Sequence, residues 1–254
     1  MRVFTLALAA TFLIAGTSVA MADWVETFGS AAPDQTWNFA SLQGIPGQPD
    51  SDTFSATSGG GQLLLQDSRT IGAGGAAAGF GLVVTESFSS PGVVVRSVLN
   101  PNGIALAEDI GVLAHLNPQT LSGYALTIDF DGTGGSFDLS RITNSAATGI
   151  GSGTISDFNP LGTYIVELTV AGPQITGRVF DSEENLLGTL EATDETPWPG
   201  GLAGVVVQTG PSDALVGAFG LTSATAVPEP SSLVALGMLG ITGVYLRRRR
   251  MAAR

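Results

Sequence analysis

The stretch GYALTIDFDGTGGSFDLSRI, residues 123–142, decides the fold. Tyr124, Leu126, Ile128 and Phe130 alternate with Ala125, Thr127, Asp129 and Asp131. A period of two places the apolar side chains on one face of an extended strand and mostly polar ones on the other. Asp131-Gly132-Thr133-Gly134-Gly135 interrupts the pattern with residues that favour a tight turn, a strong hairpin signal. Alternation then resumes, with Phe137 and Leu139 set against Ser136, Asp138 and Ser140.

The same reading extends outward in both directions. Tyr164, Val166, Leu168 and Val170 alternate with Ile165, Glu167 and Thr169. Further strand candidates are Gln62–Gln66, Gly81–Ser87, Val93–Leu99, Ile110–Leu116, Ile175–Asp181, Leu186–Glu191, Gly204–Gln208 and Leu215–Thr222. Ala171-Gly172-Pro173 and Ser182-Glu183-Glu184-Asn185 supply turns between strand pairs. Between the two ends of the chain no amphipathic helical stretch of ten residues occurs. Many short strands at regular spacing predict an all-β fold, a two-sheet antiparallel sandwich.

Both ends carry targeting signals. Met1–Ala22 has a positive charge at Arg2, an apolar run from Val3 to about Ala15, and small residues at Ala20 and Ala22. That is the layout of a signal peptide cleaved after Ala22, with Ala20 the second choice. At the other end Val227-Pro228-Glu229-Pro230 precedes an apolar segment ending at Leu246, followed by Arg247, Arg248, Arg249 and Arg250. As a helix, residues 231–246 would be about 24 Å long against a hydrocarbon thickness of roughly 30 Å, a gap that arginine stems bridge by snorkelling. The arginine block is expected on the cytoplasmic side, with everything before it outside. The expected organisation is therefore a signal peptide (1–22), one β-sandwich ectodomain (23–226) and an anchor segment (227–254).

Residues 23–226 hold four arginines, no lysine and twenty-one acids, a net charge of −17. Such a surface repels phosphate backbones and excludes nucleic acid as a partner. The chain has no cysteine, so it depends on sheet packing and has no thiolate nucleophile or thiolate metal site.

Pro-Glu-Pro, an apolar span and a terminal arginine cluster, in that order, resemble the PEP-CTERM sorting signal of Gram-negative bacteria. The resemblance covers Val227–Arg250 and implies cleavage near Pro228-Glu229-Pro230 by an exosortase. It also implies use of the secretion machinery, an inner-membrane-anchored precursor, and a mature protein in the cell envelope or outside the cell, in a species that makes exopolysaccharide. Ala105–Thr222 is similar in pattern to the C-terminal two-thirds of a concanavalin A-like jelly roll of the laminin-G or lectin and glucanase group. The stretch GTYIVELTVAGPQITGRVFD, residues 162–181, carries that pattern best.

Candidate chemistry is sparse. The single histidine, His115, is expected on the strand face shared with Leu113, if Val112, Ala114 and Leu116 occupy the other, and reads as a structural or surface residue. Asp129 and Asp131, two apart on one face, suit calcium better than zinc, and the laminin-G resemblance implies Ca²⁺ as a cofactor. An unliganded turn explains the same pair. Trp37 and Trp198, the latter between Pro197 and Pro199, either stack on sugar rings or plug the sandwich. The E-x-D-x-x-E strand of glucanases with this fold does not occur in the chain. The expectation is a non-enzymatic, adhesive or exopolysaccharide-associated envelope protein. A calcium-assisted lectin and a glycan hydrolase or lyase stand as alternatives.

Overall fold

The alternation around Tyr124 and Phe137 becomes strands β8 (Ser122–Asp129) and β9 (Ser136–Thr143), paired antiparallel from Gly123 opposite Ile142 to Ile128 opposite Phe137. The computed structural model describes residues 24–26, 28, 37–41, 54–59, 62–67, 78–89, 92–100, 109–130, 135–144, 146–208 and 212–223. Among these, fifteen strands form and no helix. The first seven are β1 (Trp24–Glu26), β2 (Trp37–Ser41), β3 (Phe54–Gly59), β4 (Gln62–Asp67), β5 (Ala78–Ser89), β6 (Gly92–Asn100) and β7 (Asp109–Asn117). After β8 and β9 come β10 (Ala146–Thr154), β11 (Tyr164–Ala171), β12 (Gln174–Asp181), β13 (Leu186–Thr193), β14 (Gly200–Gln208) and β15 (Ser212–Ser223).

They assemble into two antiparallel sheets. One runs β13-β12-β11-β6-β15-β4-β3, with β1 also paired to β15; the other runs β10-β9-β8-β7-β14-β5-β2. Consecutive strands repeatedly cross from one sheet to the other, as β13 does to β14, so each sheet is stitched from distant parts of the chain. The expected sandwich is therefore present. The proposed turns at 171–173 and 182–185 separate β11 from β12 and β12 from β13, and Gly172 takes φ +61°, which glycine adopts without steric cost.

The core lies between the sheets and follows the alternation. Tyr124, Leu126 and Ile128 from β8 meet Val166, Leu168 and Val170 from β11, all fully buried in one cluster with Phe137 and Leu139. Phe137 also closes one side of the sandwich, where β10 and β13 end their sheets. A Cβ at Gly153 would lie 2.6 Å from its ring and one at Gly188 2.5 Å, so the ring fits only because both edge strands place glycine there. Four strands were not expected from the pattern: β1, β2, β3 and β10. The last, AATGIGSGT, has no apolar alternation; its inward positions Gly151 and Gly153 are small because Leu190 and Phe137 fill the space beside them.

The signal peptide, the cleavage positions Ala20 and Ala22, the motif Val227–Pro230, the span 231–246, Arg247–Arg250 and Asp131 lie outside the described residues. Among the described residues no helix is long and apolar enough to cross a membrane.

Candidate functional site

At one place in the sandwich, ionisable and aromatic side chains are drawn into a single hydrogen-bonded cluster. The connection from β13 to β14, residues 194–199, leaves the edge of one sheet and enters the middle of the other. Three neighbouring strands of the second sheet hold it, through His115 on β7, Tyr124 on β8 and Arg141 on β9.

Arg141 continues the inward parity of Phe137 and Leu139, so its strand aims a guanidinium toward the interior instead of solvent. It is received by Asp194. The Arg141 Nε–H donates to Asp194 Oδ2 at 2.6 Å, and the Tyr124 hydroxyl donates to the same oxygen at 2.7 Å. Asp194 Oδ1 accepts from the Thr196 N–H at 2.9 Å, and Arg141 Nη2 donates to the Thr196 carbonyl at 3.2 Å. The Arg141 guanidinium also stands over the Trp198 ring, 4.7 Å from its centroid. Trp198 N–H donates to the Tyr124 oxygen at 3.3 Å.

His115 grips the loop from the other side. β7 carries one extra residue here. Ala114 and His115 stand against a single residue of β14, between the pairs Leu116–Leu202 and Leu113–Gly204. His115 and Leu116 do the same against β8, between Ala114–Tyr124 and Asn117–Ser122. His115 itself adopts φ +52°. This β-bulge overturns the simple alternation expected for the strand. Leu113 and Leu116 share one cluster on the outer face, Ala114 joins the core, and His115 turns to the loop. His115 Nδ1 lies 3.1 Å from the Trp198 carbonyl. A carbonyl only accepts, so Nδ1 carries the proton of the neutral ring. β14 passes so close to the bulge that a Cβ at Gly201 would come within 2.4 Å of the His115 backbone.

These contacts set the protonation states. Burial lowers the His115 pKa, against a smaller raising effect of the Trp198 carbonyl, and keeps the ring neutral. Tyr124 is pushed up to about 12 by burial, with its bond to Asp194 adding to the shift. Burial pushes the Asp194 carboxyl up, but hydrogen bonds from Tyr124, Thr196 and Arg141 outweigh it and hold the group below the usual carboxylate range. Each ionisable group is thus committed to the loop. Two buried nitrogens, His115 Nε2 and Trp198 Nε1, have no hydrogen-bond partner among the described residues.

Of the residues singled out from the sequence, Trp198 and His115 belong to this cluster. Trp198 is half-buried against the core, with Arg141 over its ring. Trp37 belongs to a different aromatic group, half-buried between Phe28 and Phe219 at centroid distances of 5.8 and 5.1 Å. Asp129 lies half-buried on the outer face of β8, directly opposite Asp109 of β7, with the Ser136 hydroxyl 3.5 Å from its Oδ2. Among the described residues no group of three or more His, Asp or Glu side chains is placed to hold a metal. Tyr124, Arg141 and Asp194 had not been singled out. A signal for Arg141 was available: it extends the inward-facing parity of its strand.

The fold is a jelly-roll sandwich, shared with lectins and carbohydrate-binding modules. The carbohydrate binding module CBM66 from Bacillus subtilis superposes with a TM-score of 0.53 at 15% identity, covering 75% of this chain and 98% of that one. The exoplasmic/lumenal domain of VIP36 in its Ca²⁺-bound form gives 0.56 at 10% identity, covering 83% and 93%. The lectin UEA-II complexed with galactose gives 0.53 at 9% identity, covering 80% and 98%. At these identities the likeness is one of fold. Beyond the sandwich, residues 226–250 match the PEP-CTERM protein-sorting motif. The chain thus carries the signal of an exported protein sorted by an exosortase. A search of curated proteins gives no match.

Proposed function

We propose that this is a non-enzymatic protein of the cell envelope or extracellular matrix. It is held as a membrane-anchored precursor, processed at Pro228-Glu229-Pro230, and associates with neutral exopolysaccharide through its sandwich. The observation that carries the reading is the joining, in one chain, of a lectin-type sandwich to a sorting signal that begins three residues after the last strand.

The charge of the glycan follows from the arginines. Among the described residues Arg96, Arg141 and Arg178 are each paired with a carboxylate. Arg141 meets Asp194 at 2.6 Å, Arg178 meets Glu167 at 2.9 Å, and Arg96 meets Glu184 at 3.0 Å. With −17 over residues 23–226 the surface repels uronate polymers and leaves neutral sugars, bound by hydrogen bonds and apolar contact, as the compatible class. Affinity electrophoresis of the full chain tests this. Retardation in gels containing a neutral glucan or mannan, and none with alginate or polygalacturonate, is expected. Retardation by uronate polymers alone, or reducing-end release from any polymer, overturns it.

A calcium-assisted lectin is the second reading. It is supported by the Ca²⁺-bound form of the VIP36 domain, which shares the fold. Titration calorimetry with millimolar calcium gives heat and a raised Tm if this holds; no heat and no shift removes it.

A further inference from the structure

The register of β15 fixes where the chain leaves the sandwich. Its last residue, Ser223, stands opposite Val93 of β6, and Val93 stands opposite Val170 of β11. The exit is therefore at the end that carries the 171–173 turn. The Asp194 N–H donates to the Pro173 carbonyl at 2.9 Å, and Asp194 Oδ2 accepts from Tyr124 of β8. These bonds join the 171–173 turn, the crossover 194–199 and the turn between β7 and β8 into one surface. The first strand starts at the same end, where Trp24 of β1 pairs with Leu221 of β15. Both export-directed segments thus meet the domain here. Ala22 precedes Trp24 by two residues and Val227 follows Ser223 by four. An extended chain covers at most about 3.6 Å per residue, so Ala22 and Val227 lie within roughly 7 and 14 Å of those strand ends.

The two ends differ in charge. At the exit end the described connections carry two acids, Asp194 and Glu195, and Asp194 is paired with Arg141 at 2.6 Å. At the opposite end β7 begins with Asp109, and β8 and β12 finish with Asp129 and Asp181. The connections there add Asp157, Glu183 and Glu184. β8, β11 and β12 each have eight residues, which puts about 27 Å between the two ends.

We infer that the exit end of the sandwich faces the bilayer in the membrane-anchored precursor proposed above, and that the acidic end is directed away from it. Tether length excludes the inverted arrangement. Residue 231, where the apolar span starts, follows Ser223 by eight residues, at most about 29 Å of chain. With the acidic end down, the tether would have to run the length of the sandwich and cross a headgroup layer of roughly 5–8 Å, about 32–35 Å in all. Charge disfavours a sandwich lying flat. That pose brings the acidic end within the roughly 8 Å screening length of anionic headgroups, whereas standing on the exit end holds it about three such lengths away.

The absence of cysteine makes site-specific labelling direct. The full chain is reconstituted in vesicles of phosphatidylcholine and phosphatidylglycerol that carry an acceptor dye on their headgroups. A donor dye is placed at Gln119→Cys, exposed in the turn between β7 and β8, or at Ser182→Cys, exposed in the turn between β12 and β13. Energy transfer from Gln119→Cys is expected to be about fivefold greater, because a strand length separates the two positions. Gln174→Cys at the exit end and Leu161→Cys at the acidic end, both exposed, repeat the comparison with independent substitutions. Equal transfer from the two ends in either pair, or more from the acidic end, overturns the inference and leaves the anchoring intact. No transfer from any of the four positions overturns the anchored-precursor reading together with the inference.

Discussion

Replacing Asp194 by alanine removes one side chain that four groups address, and the loss can be worked from the geometry. The Tyr124 hydroxyl is fully buried and loses its acceptor at 2.7 Å; an orphaned buried donor costs about 1–3 kcal/mol. Arg141 loses a charge-assisted bond at 2.6 Å, but its side chain is 27% exposed and recovers solvent, so about 1 kcal/mol is assigned to it. The sum is about 2–4 kcal/mol, which for a domain of this size lowers Tm by roughly 5–12 °C. Asp194→Asn, which keeps an acceptor oxygen but not the charge, should fall between. Denaturant unfolding followed by fluorescence measures both. The acid limb supplies an independent reading. A carboxyl whose folded pKa is depressed contributes stability that is present above its ordinary value of 3.8 and is lost as pH falls below it. Asp194→Ala should therefore flatten the stability profile in that range. A loss under about 0.5 kcal/mol with an unchanged acid limb would refute the claim that this carboxylate ties the crossover to the second sheet.

His115, neutral and buried, takes up a proton less readily folded than unfolded, so stability is expected to fall as pH drops below 6.5. His115→Asn, which tolerates the positive φ and still offers an N–H to the Trp198 carbonyl, should fold and lose that dependence between pH 6.5 and the carboxylate range. Tyr124 has the opposite sign: raised to about 12, it contributes stability that is complete below pH 10 and lost as pH rises toward 12. Near-ultraviolet titration should show a tyrosine ionising late, and Tyr124→Phe should remove that step. Gly188→Ala should cost about 1–3 kcal/mol, because its Cβ meets the Phe137 ring at 2.5 Å, and Phe137→Leu in the same chain should return part of it. An additive double variant in chemical denaturation would show that the ring does not close that side.

The alternation of Tyr124, Leu126 and Ile128, of Phe137 and Leu139, and of Tyr164 through Val170 was enough to assign strands, their inward faces and the sandwich. Side-chain direction in an extended chain is a local property with a period of two. The sorting motif was equally legible, since it is a contiguous string. β10 was not, because it is held by Phe137 and Leu190 filling space beside glycines and not by its own apolar pattern. The cluster of Tyr124, Arg141 and Asp194 was hidden for a related reason. Tyr124 and Asp194 are separated by 70 residues and Arg141 and Asp194 by 53, and only the crossing of β13 into β14 brings them together. His115 shows the limit most clearly. A single extra residue in β7, set by its pairing with β8 and β14, reversed the face that alternation assigned to it. Local geometry thus determined which residues lie inside. Register between strands distant in sequence decided which of them meet, because pairing energy is gained only after the loops between them have closed.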